Sequence, residues 1–312
     1  MIRKLALMAV ACLLASGCGI QMRTPAAPVT TTITASVSPP SATPREAVIL
    51  PPVNVKPLEL DPGQTVVTIT FDDGRASNVK AAQILNAYGL RGTFFINSGT
   101  IGKPGYLSLT DLDWIATTSG NEIGGHTVDH RDLRTLNTNQ VRSEICDDRA
   151  TLMGWGFPVR NFAYPFASAS PEIEAMVREC GYNSGRSLGE LWGVRPPPNT
   201  PPEQNCAQCD AGESVPPGDP FYTRAPAQVN ADWTTEDFKQ QVEAAIIPGD
   251  GWVQLTFHGL CPTDCSDITT PVTMFTEFVI WLADQQAQGR LVVLTVGEVI
   301  GGPVQPPGQA TP

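Results

Sequence analysis

Only three histidines occur among the 312 residues of the chain, and two of them, His126 and His130, stand four apart in Gly124-Gly125-His126-Thr127-Val128-Asp129-His130. On a helical turn that spacing puts two imidazoles on one face within reach of a single ion, and neutral imidazoles suit a divalent metal. Asp72-Asp73-Gly74 supplies two adjacent carboxylates at the end of a predicted strand. Neighbouring side chains there point apart, so one can ligate while the other stays free to take a proton. His258 ends another predicted strand, in Leu255-Thr256-Phe257-His258-Gly259. Taken singly these are weak signals, since Asp-Asp-Gly is more often a plain turn and a histidine pair is as often a packing feature.

The elements that must bring them together alternate along the chain. Residues 64–71 (QTVVTITF) are β-branched and bounded by Pro62-Gly63 and Gly74, a strand; 76–88 is helical in pattern and stops at Gly89; 91–96 is a second strand. Thr110 is placed to cap a helix ending near Gly120, and a short strand begins at Glu122. Residues 139–153 read as a helix stopped by Gly154, 161–163 as a strand, and Ser170-Pro171 as the cap and first position of a helix ending at Gly181. Further on come helix 235–246, strand 252–257, helix 274–288 and strand 291–296. Serial β/α alternation implies a parallel sheet with helices packed outside it, open or closed into a barrel. In a barrel the C-terminal ends of different strands share one mouth, so the Asp pair, the His pair and His258 converge.

Outside this core the composition changes. Arg3 and Lys4, an apolar run from Leu5 to Leu14 and small residues before Cys18 have the order of an export signal over 1–18, too short to span a bilayer. Cys18 fits the lipid-modified cysteine of a bacterial lipoprotein, which would anchor the chain at the outer face of a membrane; ordinary secretion is the alternative. Residues 19–63, rich in Pro and Thr, read as a disordered tether; 64–300 is expected to be the catalytic domain and 301–312 a flexible tail. The remaining cysteines, Cys146, Cys180, Cys206, Cys209, Cys261 and Cys265, read as disulfides in an exported chain. Two short local bridges and one from Cys146 to Cys180 are expected. Residues 188–227 break the alternation and are expected to form a disulfide-pinned surface loop. A formal charge of −11 argues against a nucleic-acid partner. A tethered domain needs no second copy, so a monomer is expected.

Four segments in order, Thr70-Phe71-Asp72-Asp73-Gly74, His126-Thr-Val-Asp-His130, Phe162-Ala163-Tyr164-Pro165-Phe166 and Leu255-Thr-Phe-His258, resemble the successive motifs of the NodB-type polysaccharide deacetylases, carbohydrate esterase family 4. The resemblance spans roughly residues 64–300. It implies an α/β fold, a distorted (β/α) barrel with about seven parallel strands. It also implies Zn²⁺, or another divalent ion such as Co²⁺, held by Asp73, His126 and His130. Asp72 would be the general base and His258 the general acid, and the backbone N–H of Phe166 would help bind the oxyanion. Tyr164 is expected beside the substrate, and Leu255 either lines a pocket for the acetyl methyl or is plain core.

Two departures from the family pattern stand out. Many members carry an Arg two residues before the motif proline, paired with the base; this chain has Ala163 there. The Asp-Trp that orients the catalytic histidine in many members has no match in 181–186, and Asp232-Trp233 lies far along the chain. Arg186 is the candidate replacement cation near Asp72. The resemblance implies hydrolysis of N-acetyl groups on an acetylated cell-wall or extracellular polysaccharide. O-acetyl ester hydrolysis, as on acetylated xylan, and a glycan-binding barrel without turnover are the alternatives.

Overall fold

Alternating apolar and polar residues build the sheet from its centre. In the computed structural model, which describes residues 58, 60, 61, 63–195, 209–246, 251–263, 265 and 267–307, the central strand β1 is Thr65–Phe71. It is followed by α1 (Asn78–Ala87), β2 (Thr93–Ile96), α2 (Leu109–Asp113), β3 (Glu122–Gly125), α3 (Thr138–Arg142), α4 (Asp148–Gly154), β4 (Asn161–Ala163), α5 (Pro171–Glu179) and β5 (Ser184–Arg186). The chain continues with α6 (Thr235–Ile246), β6 (Trp252–Phe257), β7 (Gly259–Cys261), β8 (Thr269–Pro271), α7 (Val272–Ala287), β9 (Leu291–Val293) and α8 (Val296–Ile300). Seven strands form one sheet in the order β5-β4-β3-β2-β1-β6, with β9 also pairing with β1. All of these pairings are parallel. The result is a half-barrel, in agreement with the expected α/β architecture.

The two faces of β1 carry different work. Val67, Ile69 and Phe71 join the main core under the helices, together with Phe94, Val253, Leu255 and Phe257. Thr68 and Thr70 belong to the opposite, concave face, where Thr68 accepts a hydrogen bond from Trp252 at 2.7 Å and Thr70 pairs in register with Thr256. Strand alternation puts Asp72 and His258 on that same concave face, one step beyond the register pair. Phe71 locks the strand ends from behind: its ring lies 5.1 Å from Phe94, 5.5 Å from Phe257 and 5.4 Å from Phe275. Such aromatic pairs contribute about 0.5–1.5 kcal/mol each beyond the area they bury.

Several expectations need correction. The helix read from Thr110 is capped by Ser108, whose hydroxyl accepts from Asp111 N at 3.2 Å while the Asp111 carboxylate accepts from Ser108 N at 2.8 Å. Residues 138–154 are helical throughout, with a π turn at Ser143–Asp147 between α3 and α4. The last strand stops at Val293, because Thr295 caps α8. The stretch 188–227 is more than a surface loop: Thr223 and Ala225 are fully buried. Thr223 N donates to Gly185 O at 2.9 Å and its hydroxyl accepts from Gln254 at 3.1 Å. That segment therefore closes the gap between β5 and β6, where no strand pairing exists among the described residues. A half-buried ion pair, Arg224 to Glu213 at 2.9 Å, steadies it.

The domain edges also shift. Leu58 and Leu60, read as tether, pack partly buried against the core cluster that includes Val66 and Trp252. Residues 301–307, read as tail, are held by Arg149, which donates to Gln305 O at 2.7 Å and Pro306 O at 3.1 Å, and by Asn183, which donates to Gly301 O at 3.1 Å. Cys146 is bonded to Cys180 and Cys261 to Cys265, and Cys209 is also disulfide-bonded. Cys206, the export signal with Cys18, nearly all of the tether and residues 308–312 lie outside the described residues. No helix among those described is long and apolar enough to cross a membrane.

Candidate active site

Gly74 follows the paired aspartates in a left-handed turn, and Asp73 itself takes φ 74°. The turn sends the two carboxylates in different directions. Asp73 Oδ1 faces His130 Nε2 at 3.3 Å and His126 Nε2 at 3.7 Å. Asp72 instead meets Arg186, whose Nη2 donates to its two oxygens at 2.7 and 2.6 Å.

His126 leaves β3 and is buried. Its Nδ1 lies 2.7 Å from the Ala163 carbonyl. A carbonyl can only accept, so Nδ1 carries the proton and Nε2 is left bare toward Asp73. Burial pushes the His126 pKa down to about 4, against the pull of Asp72, so the ring is neutral at neutral pH. The four-residue spacing to His130 does not lie on a helical turn. Thr127 and His130 both have positive φ, 69° and 55°, and the Thr127 hydroxyl accepts from His130 N at 3.0 Å. A tight loop, rather than a helix, brings the rings to a centroid distance of 4.8 Å.

Beneath this loop sits Asp148, fully buried on α4, which accepts from Ser98 N at 2.9 Å and His126 N at 3.1 Å. Burial raises its pKa to about 7, opposed by those N–H bonds. Glu144 does similar work one turn earlier, accepting from Asp129 N at 3.0 Å. A Cβ on Gly125 would collide with the Tyr182 hydroxyl and Asp148, so only glycine fits where β3 enters the loop. Sequence reasoning passed over Asp148 and Glu144; the spacing of acidic residues on the following helix was their only trace.

Asp73, His126 and His130 form a group that could hold a metal ion, their ligand atoms all lying within 4.8 Å of one another. A tetrahedral ion with bonds near 2.1 Å requires ligand separations of about 3.4 Å, close to those found here. Asp73 Oδ1 is also buried without a hydrogen-bond partner among the described residues. An orphaned carboxylate oxygen facing the bare Nε2 of His126 and the Nε2 of His130 fits a divalent cation.

The charges around Asp72 favour its ionised form. Burial alone would raise its pKa, but Arg186, His126 and His258 overcome that and hold the carboxyl below its usual value. Asp73 behaves alike, burial being outweighed by the three histidines and Arg75. His258 follows β6, and burial moves its pKa below the ordinary histidine value despite Asp72 and Asp73 nearby. Its Nδ1 has no hydrogen-bond partner among the described residues. Asn78 holds its backbone, donating to the His258 carbonyl at 2.7 Å.

The structure distributes the other expected residues unevenly. Phe166 has φ 57° and stands beside the triad, its ring 66% exposed and edge-on to His130 at 4.7 Å. Tyr164, expected near substrate, is buried and gives its hydroxyl to the Phe221 carbonyl at 2.7 Å. Leu255 alternates with the concave positions and lies in the helix-side core. Asp232 is mostly exposed, 3.6 Å from Arg195, and does not approach His258 as an orienting group.

Comparison with known proteins narrows the reading. Residues 59–185 match the family model described as polysaccharide deacetylase. Over that segment the chain is similar to the polysaccharide deacetylases. Arg186 and His258 lie beyond the matched segment. A Bacillus subtilis protein provisionally named polysaccharide deacetylase YxkH is 30% identical over 145 residues, covering 46% of this chain and 50% of that protein. An Arthroderma benhamiae protein provisionally named peptidoglycan-N-acetylglucosamine deacetylase is 32% identical over 123 residues, 38% of this chain and 27% of that protein. The chain thus spans half or less of the length of these relatives. Among solved structures, a Mycobacterium smegmatis protein provisionally described as a polysaccharide deacetylase superposes with a TM-score of 0.55 at 14% identity, covering 82% of this chain and 97% of that one. At that identity the likeness establishes the fold, the deacetylase half-barrel.

Proposed function

We propose that the chain hydrolyses N-acetyl groups on an extracellular or cell-envelope glycan, a peptidoglycan, chitin-like or poly-N-acetylglucosamine chain, and releases acetate. The observation that carries this reading is the placement of an ionised, arginine-held Asp72 directly beside the Asp73, His126 and His130 triad.

A divalent ion such as Zn²⁺ on that triad would lower the pKa of water and polarise the acetyl carbonyl. Asp72 takes the proton from the attacking water, since Arg186 keeps it ionised and its concave-face position turns it toward the triad. The Phe166 N–H, set at the mouth by its left-handed backbone, is the donor for the developing oxyanion. His258 delivers a proton to the departing sugar amine; its lowered pKa makes the imidazolium a stronger acid. A binding-only barrel has no use for an ionised carboxylate held next to a cation site, so turnover is favoured over a glycan-binding role. Export with attachment through Cys18, or secretion, would place the site at its polymer.

One observation favours a second reading, O-acetyl ester hydrolysis. Among the described residues His258 Nδ1 lacks a carboxylate partner, and an alkoxide-forming ester depends differently on the acid than an amine-releasing amide. Acetate release from N-acetylglucosamine oligomers and from acetylated xylan separates the two: release from the amide establishes the deacetylase, and release from xylan alone replaces it with the esterase.

A further inference from the structure

The two oxygens of Asp73 have different partners. Oδ2 accepts from Arg75 Nε at 3.1 Å and Nη2 at 2.9 Å, whereas Oδ1 is buried without a hydrogen bond and faces the two histidines. Arg75 is itself fixed. Its guanidinium lies 5.7 Å over the Tyr106 ring, and its backbone forms an isolated β-bridge with Tyr106. The flanking residues are clasped by the same loop, Leu107 N donating to Gly74 O and Ala76 N to Gly105 O, both at 2.9 Å.

We infer that Arg75, backed by Tyr106, is a positioning residue that turns Asp73 so that Oδ1 alone is offered to a divalent cation. This rests on the reading of the triad as a metal centre. A free aspartate rotates about its last torsion and presents either oxygen or both; two donors on Oδ2 remove that freedom. Orientation and charge act in opposite directions here, because a guanidinium near a cation repels it. The sign of the effect therefore identifies the cause.

The test is Zn²⁺ affinity of the full chain, measured by competition with a chromophoric chelator, for wild type, Arg75→Ala, Arg75→Lys and Tyr106→Leu, alongside thermal unfolding of the metal-free proteins. Arg75 is 42% exposed in its side chain, so metal-free unfolding should match wild type. Loss of the two donors that hold Asp73 Oδ2 should weaken Zn²⁺ binding about 10–100-fold in Arg75→Ala. Arg75→Lys, with one donor atom, should recover part of the loss, and Tyr106→Leu should weaken binding in the same direction. Affinity in Arg75→Ala equal to or tighter than wild type overturns the inference while leaving the metal centre standing. A wild-type chain that binds no Zn²⁺ overturns both.

Discussion

Arg186 and Asp72, 114 positions apart in sequence, meet through a single guanidinium nitrogen 2.7 and 2.6 Å from the two carboxylate oxygens. Their side chains are only 1% and 5% exposed. In this chain the cation comes from β5, where many relatives of the resembled family supply it from the third motif. Removing it leaves a buried carboxylate without its main compensating charge. Arg186→Met should therefore raise the pKa of Asp72, and of His258, whose pKa Arg186 also lowers. Both limbs of the pH dependence of kcat/KM should move to higher pH, with a fall in rate of about 10²–10⁴-fold at neutral pH. Unchanged limbs would mean that the pair is structural.

The same pair links stability to pH. Asp72 is depressed below its ordinary value of 3.8 by the folded state. Its stabilising contribution is present above that value and is lost as the pH falls through the lower folded pKa. Urea midpoints measured between pH 6 and 3 should fall less steeply in Asp72→Asn than in wild type.

His258 is tested by its leaving group. His258→Ala should lower kcat on N-acetylglucosamine oligomers about 10²–10⁴-fold and lower it less on an ester with a good leaving group. Equal losses on both substrates would remove the acid role.

Much of this architecture was legible in the residues. Strand 161–163, helix 235–246 and strand 252–257 coincide with β4, α6 and β6 because each is bounded by Gly, Pro or a capping residue and has one clear period. The Asp pair, the His pair and His258 converge because they end parallel strands. What sequence did not reveal depends on contacts remote along the chain. The triad loop bends at Thr127 and His130 against their residue preference, supported by Asp148 and Glu144 from the next helix. Tyr164 and Leu255 fall on the helix side by strand alternation from Ala163 and Thr256. The burial of 221–225 follows from the gap beside β5, which no local pattern announces.

The Cys146–Cys180 bridge closes a loop of 34 residues and ties α5 to the helix that carries Asp148. Chain entropy gives such a loop about 4 kcal/mol. Cys146→Ser with Cys180→Ser should lower the unfolding free energy by roughly that amount in urea titrations, and a loss below about 1 kcal/mol would count against this role.

Arg149, fully buried, binds the carbonyls of Val159, Cys180, Gln305 and Pro306. Truncation after Gly302 removes two acceptors from a buried cation and should cost at least about 1–3 kcal/mol. A truncated chain as stable as wild type would show that water replaces those carbonyls freely.

Acetate release is expected to depend on a cation held by Asp73, His126 and His130 and on Asp72 as base. The direct measurement is acetate release from N-acetylglucosamine oligomers by the full chain before chelation, after it, and after Zn²⁺ or Co²⁺ is restored, with Asp73→Asn and Asp72→Asn in parallel. The expected result is loss on chelation, recovery with the metal, weakened metal binding in Asp73→Asn, and metal binding without turnover in Asp72→Asn. Release that persists in the chelated protein, or full turnover by Asp72→Asn, would contradict it.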